Sequence, residues 1–340
     1  MNIGIIFGGK SAEHKISLES AKNVVFALDK DKFTPVLIGI SQKGEWFLCD
    51  EIPKDKVVGG RKKINLTPGA GKEFLSSGPK IDVVFPVLHG PNGEDGTIQG
   101  LFRMMEIPFV GPGVLGSSAA MDKEVSKILL QNRGIKVADW ISFQAEASVD
   151  LIEDKFNYPV FVKPANLGSS VGVSKAENRK GLEKAIDEAF EYDKKILVEE
   201  FIDGRELECS VLGNKNPKAS RVGEVKTEEF YSYEEKYADQ SNAELVIPAK
   251  IDQYLERDLQ KIAIKAFESN MCRGMARVDF LVTGKEIYVN ELNTIPGFTK
   301  ISMYPKLWQE TGLKYSKLLD RLIDLALKRD QEYKKLKTSY

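Results

Sequence analysis

The chain has 340 residues, more than one ordinary domain holds, and suggests two or three. Hydrophobic residues make up 42% and charged residues 29%, a globular balance that excludes a disordered or membrane-embedded chain. Forty-nine basic against fifty acidic side chains leave a formal charge of -1, so no nucleic-acid footprint is expected, though a local basic pocket for phosphate is not excluded.

Met1–Phe7 reads as a buried strand rather than a signal peptide, and no apolar run approaches the roughly 20 residues that span a bilayer. No membrane partner is expected. Asn2–Phe7, Phe33–Ile40 and Asp82–Leu88 read as strands, and Glu13–Leu28 and Thr97–Met105 as helices. This alternation predicts a parallel sheet flanked by helices. Residues 51–80 lack periodicity and read as a mostly exposed insertion. After Gly111-Pro112-Gly113 a helical region runs over Val114–Arg133, with a domain boundary near residue 120. Tyr158–Lys163 and Lys195–Glu199 are strands. Between them a helix follows Asn178, placing Leu182, Ala185, Ile186, Ala189 and Phe190 at helical spacing. The remainder is mostly strands, apart from helices at Gln253–Ser269, capped by Asp252, and Tyr315–Lys337. Cys49, Cys209 and Cys272 are widely spaced and fit reduced thiols in a cytoplasm. His14 and His89 are too isolated to build a metal cluster.

The most informative stretch is Met275–Phe280, a turn at Thr283-Gly284-Lys285, then Tyr288–Asn293. Side chains alternate along a strand, so Arg277 and Asp279 share one face, as do Glu291 and Asn293. If the two strands form a hairpin, two carboxylates and an amide oxygen converge into an oxygen-only site for a hard cation such as Mg2+. Val278, Phe280, Tyr288 and Leu292 form the core-facing set. Val162–Val173 is a strand, a loop with Gly168, Ser169, Ser170 and Gly172, and a second strand, with Lys163 at the first strand's end. Its glycines allow close backbone approach to an anion, and it is not a P-loop, because a strand rather than a helix follows. A plain hairpin is the competing reading. Gly8–His14 follows the first strand and opens a helix, where Glu13 suits an ammonium group or simply complements the helix dipole. His89–Gly96 ends a strand at the edge where parallel sheets bind ligands.

In order and spacing, Gly8–Glu13, His89–Gly96, Met121–Lys123, Lys163–Gly172, Glu234–Tyr237, Arg277–Asp279 and Glu291–Gly297 resemble the motifs of the D-alanine–D-alanine ligases, members of the ATP-grasp superfamily. The resemblance runs from residue 2 to about residue 325. It implies an α/β and α+β chain: an N-terminal parallel α/β (pre-ATP-grasp) domain, then a two-part ATP-grasp fold with antiparallel sheets. The divisions would be 1–120, 121–203 and 204–340, with a mobile loop over 225–245.

By motif match, Lys123 and Lys163 would contact the α- and β-phosphates, with Ser169, Ser170 and Asn290 in the ATP site. Glu199, Phe201 and Ile202 would line the adenine pocket, Glu206 would reach the ribose, and Lys236 the γ-phosphate. Asp279, Glu291 and Asn293 would hold two Mg2+ ions, with Mn2+ as a substitute. Glu13, held by Ser169 and Tyr237, would bind the ammonium of the first D-alanine. Arg277 and the Gly297 N–H would steady a tetrahedral intermediate, while Ser302 receives the second substrate's carboxylate and His89 and Met303 complete the substrate pocket.

The reaction so implied passes through a D-alanyl phosphate and yields D-alanyl-D-alanine, ADP and phosphate for peptidoglycan precursors. A cytoplasmic homodimer joined through the N-terminal domain is also implied. Ala165-Asn166-Leu167 and Phe201 depart from some relatives without touching the assigned chemistry. Tyr237 favours D-alanine over D-lactate or D-serine as second substrate. A grasp ligase for larger acids and a non-catalytic ATP-binding regulator are the other readings.

Overall fold

The structure is a computed structural model in which residues 1–226 and 244–337 are described. Its first sheet contains β1 (Asn2–Gly8), β2 (Thr34–Ile40), β3 (Trp46–Cys49), β4 (Lys62–Lys63) and β5 (Val83–Val87), in the order β4-β3-β2-β1-β5. β1 pairs in parallel with β2 and β5, as the alternating pattern predicts; β3 and β4 extend the sheet antiparallel. β1 and β5 are continuous apolar runs because both faces of the sheet are covered. On one face α1 (His14–Ala27) buries Leu18, Ala21 and Val24. On the other, α2 (Thr97–Met104) buries Ile98 and Phe102.

Two expectations change in this region. Residues 51–80 are exposed along most of their length, yet Val57, Ile64, Phe74 and Leu75 are buried in the cores of the first sheet. Their irregular spacing hides them from any periodicity. The helical region after Gly113 is two helices, α3 (Val114–Met121) and α4 (Lys123–Asn132). Asp122 breaks it in an extended conformation, and its carboxylate accepts the Val125 N–H as an N-cap.

The second sheet is antiparallel: β6 (Trp140–Gln144), β7 (Val160–Pro164), β8 (Ser174–Ala176) and β9 (Lys195–Glu200), ordered β6-β9-β7-β8. A short helix, α5 (Val149–Lys155), follows β6. α6 (Arg179–Tyr192) starts at Asn178, whose side chain accepts the Gly181 N–H, and lays Leu182, Ala185, Ile186 and Ala189 against Val160, Val162 and Val198.

The third sheet is also antiparallel: β10 (Arg205–Gly213), β11 (Lys218–Lys226), β12 (Glu244–Val246), β13 (Gly274–Thr283) and β14 (Glu286–Asn293), ordered β12-β11-β10-β13-β14. α7 (Gln253–Ser269) packs Leu259, Ala263, Ala266 and Phe267 on this sheet, and Asp252 caps it through the Tyr254 and Leu255 N–H groups. The loop predicted over 225–245 is strand at both ends, since Val225 pairs with Leu245 and Lys226 with Glu244. Lys236 and Tyr237 lie outside the described residues.

α8 (Met303–Glu310), which the sequence pattern misses, leads to α9 (Tyr315–Lys334). α9 returns to the first sheet, where Leu318, Leu319, Leu322 and Ile323 share a core with Ile3, Phe7, Val83 and Phe85. Among the described residues no helix is long and apolar enough to cross a membrane.

Candidate active site

The second and third sheets share a cleft of about 1160 Å³. On the third sheet, β13 and β14 form the expected hairpin, with Arg277 opposite Asn293 and Asp279 opposite Glu291. Arg277 grips Asp279 with two hydrogen bonds of 2.7 Å, from Nε and Nη2, and Asn293 Nδ2 donates to Asp279 Oδ2 at 2.8 Å. Glu208 adds a second carboxylate 3.0 Å from Arg277 Nε. Burial alone would lower the Arg277 pKa, but Asp279 and Glu208 overcome it and hold the group well above its ordinary value. Its Nη1 makes no hydrogen bond among the described residues.

One detail of the hairpin corrects the strict alternation. Asp279 pairs with Glu291 but Phe280 pairs with Val289, so Asn290 is the extra residue of a β-bulge. Asn290 and Glu291 therefore both line the cleft although adjacent. Val289, not Tyr288, joins Val278, Phe280 and Leu292 in the core.

Lysines dominate the facing wall. Lys163, on β7, reaches Glu199 Oε2 at 2.7 Å and Asn290 Oδ1 at 3.3 Å. Lys123, at the start of α4, donates to the Leu167 carbonyl and stands 3.9 Å from Glu291. Its burial pulls its pKa down, opposed by Glu291. A third lysine escapes sequence reasoning. Lys127 is only 2% exposed, 3.2 Å from Glu199 Oε1, and donates to the Ala138 carbonyl. Its spacing of four from Lys123, which sets two like charges on one helix face, is the signal that could have found it. Burial pushes the Glu199 carboxyl up, yet Lys127 and Lys163 outweigh this and hold it at about 2. Glu199 thus borders the expected adenine pocket as an anion clamped between two lysines. Phe201, Ile202 and Glu206 line the same end of the cleft, with the Lys175 ammonium 4.8 Å from the Phe201 ring centre.

The loop after β7 carries Ser169 and Ser170 with left-handed backbones, φ 53° and 59°, a conformation that non-glycine residues adopt at some cost. Ser170 lines the cleft, while Ser169 Oγ donates to Glu13 Oε1. Glu13 occupies the N-cap position of α1 but makes no side-chain cap bond, so its carboxylate meets Ser169 rather than the helix. Gly90 explains how the loop after β5 passes so close: a Cβ there would lie 2.5 Å from Glu13 Oε2.

His89, expected at the substrate, is buried and faces protein on both sides. Its Nδ1 donates to the Ile295 carbonyl at 3.0 Å, which makes Nε2 the acceptor toward Ser20 Oγ at 3.2 Å. Burial pulls its pKa down to about 4, so the ring is neutral. Glu94, unnoticed in the sequence, holds the same residue by its other backbone group: its Oε1 accepts the Ile295 N–H and its Oε2 the Gly90 N–H, both at 2.9 Å. Burial and the nearby Glu13 push the Glu94 carboxyl up to about 8. His89 and Glu94 together clamp the segment leading to Gly297.

At Gly297 a Cβ would approach Ser302 Oγ to 2.6 Å, so a side chain there would press on the Ser302 hydroxyl. Ser302 Oγ accepts the Thr299 N–H at 3.0 Å at the head of α8. Met303 is buried with its methyl against Gly223.

The donor set fits a divalent metal ion. Asp279, Glu291 and Asn293 offer only oxygens from neighbouring strand positions, and Asn293 spends its Nδ2 on Asp279, leaving Oδ1 as a ligand. Two antiparallel sheets closing on a cleft, with Lys123 and Lys163 on one wall and Asn290 and Glu291 on the other, define an ATP-grasp fold.

Residues 2–112 match the family described as D-ala D-ala ligase N-terminus, and residues 129–324 match D-ala D-ala ligase C-terminus. A D-alanine–D-alanine ligase of Oceanobacillus iheyensis is 47% identical over 358 aligned residues, covering 99% of this chain and 98% of its own length. The solved D-alanine-D-alanine ligase from Coxiella burnetii superposes with a TM-score of 0.88 at 38% identity, over 98% of this chain and 96% of that one. The VanG D-Ala:D-Ser ligase from Enterococcus faecalis gives 0.86 at 37%, over 96% of this chain and 99% of that one. The chain belongs to the D-alanine–D-alanine ligase family, a family of enzymes that use ATP and a divalent metal ion.

Proposed function

We propose that the chain joins two D-alanines into D-alanyl-D-alanine at the expense of ATP, supplying peptidoglycan precursors. The observation that carries this is the meeting of Glu13 and Ser169 beside the cleft, which sets a small ammonium-binding carboxylate next to a phosphate-binding wall.

Glu13 binds the ammonium of the first D-alanine, and the Ser169 hydroxyl fixes the carboxylate's orientation. Lys123 and Lys163 neutralise the α- and β-phosphates, Lys236 the γ-phosphate, and Ser170 and Asn290 border the nucleotide. Adenine lies against Phe201 and Ile202, and Glu206 reaches the ribose. The D-alanine carboxylate attacks the γ-phosphorus, ADP leaves, and the amine of the second D-alanine then displaces phosphate from the acyl carbon. Arg277 Nη1 and the Gly297 N–H steady the oxyanion of that tetrahedral intermediate. Ser302 receives the second carboxylate. Asp279, Glu291 and Asn293 would hold two Mg2+ ions, or Mn2+ in their place, which would supply charge neutralisation at the phosphate oxygens. Tyr237 selects D-alanine as the second substrate.

Three divisions, 1–120, 121–203 and 204–340, a cytoplasmic location and a homodimer through the N-terminal part complete the reading. Incubation with ATP, Mg2+ and D-alanine, with D-lactate and D-serine competing, tests it by phosphate release and product mass. D-alanyl-D-alanine should dominate. A depsipeptide or D-alanyl-D-serine product overturns the assigned second substrate, and ADP release independent of D-alanine overturns the ligase.

A further inference from the structure

A second hollow, of about 370 Å³, opens where the end of α2, the start of α3 and the last turns of α9 meet, and it shares no lining residue with the cleft. Three arginines line it: Arg103, Arg273 and Arg329. Among the described residues none of the three forms a salt bridge, although the field of Asp330 reaches Arg329 and Arg273 acts on Glu332, which itself pairs with Lys215. Arg329, 8% exposed, spends Nη1 and Nη2 on the backbone carbonyls of Gly111 and Phe109. Arg273 Nη1 donates to the Asn214 and Cys272 carbonyls. The Arg103 guanidinium lies 3.9 Å from the centre of the Tyr333 ring. The acid in the wall, Asp330, is already paired with Lys334 at 2.7 Å.

Two features bear on this positive field. Burial and the repulsion of Arg103 and Arg273 pull the Arg329 guanidinium down to about 10, although Tyr333 and Asp330 oppose the shift. α3 starts at Gly113 without a side-chain cap, and Gly113–Gly116 form part of the wall, so the positive end of a helix dipole meets the hollow. The rest of the lining is apolar, with Ile107, Phe109, Leu115 and Ala326.

We propose that this hollow is a second binding site, taking a phosphate group carried on an apolar or aromatic body. The phosphate meets Arg103, Arg273 and the first-turn N–H groups of α3, with Arg329 behind it. The body lies on the apolar wall. The competing account makes Arg329 a tether that holds Phe109 and Gly111 to α9, with the other two arginines simply solvated.

Calorimetric titration of the full chain with phenyl phosphate, and with inorganic phosphate as a second probe, separates the two. Phenyl phosphate should bind more tightly than inorganic phosphate. Its affinity should fall at least about tenfold in the Arg103→Ala/Arg273→Ala double variant, the loss of one or two charge-assisted hydrogen bonds. It should be unchanged in Lys163→Ala, which disables the cleft instead. Both arginines of the double variant are exposed, so its fold should survive. Binding that persists in the double variant, that disappears in Lys163→Ala, or that is absent from the unaltered protein overturns the site. Equal affinity for the two probes overturns the apolar component.

Discussion

The Ser169 hydroxyl donates to the Glu13 carboxylate, tying the loop after β7 to the head of α1 across 156 positions of sequence. Ser169→Ala removes this bond without opening a core. The KM for the first D-alanine should rise about tenfold while the ATP KM stays near its original value. Initial rates with each substrate varied in turn check this, and equal rises in both KM values remove Ser169 from the role.

Glu291→Gln keeps the shape of the hairpin but removes one of its two metal-binding charges. Turnover should fall roughly a hundredfold or more, about 3 kcal/mol of transition-state stabilisation. The Mg2+ concentration for half-maximal rate should rise with it. A near-normal rate at ordinary Mg2+ contradicts the proposed ligand set.

Glu199 should govern acid stability. Its folded-state value of about 2 lies below the ordinary 4.5, so its contribution is complete above about 4.5 and disappears as the pH falls through 2. The shift corresponds to about 3 kcal/mol. Glu199→Gln leaves Lys127 buried without its anion and should cost ~3–5 kcal/mol near neutrality. Urea midpoints of the two proteins should converge between pH 4.5 and 2.

Glu94 acts with the opposite sign. Its folded-state value of about 8 lies above the ordinary 4.5, so its stabilisation is complete below about 4.5 and is lost as the pH rises through 8. Stability should decline with pH across that window. Glu94→Gln should flatten the decline and be less stable at pH 5, because a carboxamide oxygen accepts only one of the Gly90 and Ile295 N–H groups while its NH2 opposes the other. Denaturant midpoints at pH 5, 7 and 8.5 would expose an unchanged slope.

Gly297→Ala forces a methyl against Ser302 Oγ. The expected outcome is a large rise in the KM for the second D-alanine and little change for the first. An unchanged second KM means that Ser302 does not receive that substrate.

The hairpin was legible because a strand's two-residue period fixes which side chains share a face, and Arg277, Asp279, Glu291 and Asn293 obey it. Asn290 was placed in the ATP site only through the family resemblance. Its bulge depends on cross-strand register, which no local pattern reveals. Lys127, Glu94 and Glu208 were missed for a related reason. Each is a charged residue in a buried position, stabilised by partners from distant segments, so composition predicts it outside. The His89–Gly96 stretch follows its strand as the pattern predicts, but its histidine turns inward to Ile295, a contact 206 residues away. The helices were easier, since Asn178 and Asp252 announce their starts locally; Asp122 does so too, hidden inside a longer helical run.

The return of α9 to the first sheet has a consequence for biosynthesis. One face of β1 and β5 is covered partly by Leu318, Leu319, Leu322 and Ile323. As the chain emerges from the ribosome, that apolar face lacks this cover until α9, far downstream of β5, has been made. The second and third sheets, with α6 and α7 supplied from within their own segments, have no such wait. The first part translated is therefore the last to reach its finished form, and the interval before α9 arrives is when this chain most needs protection from aggregation.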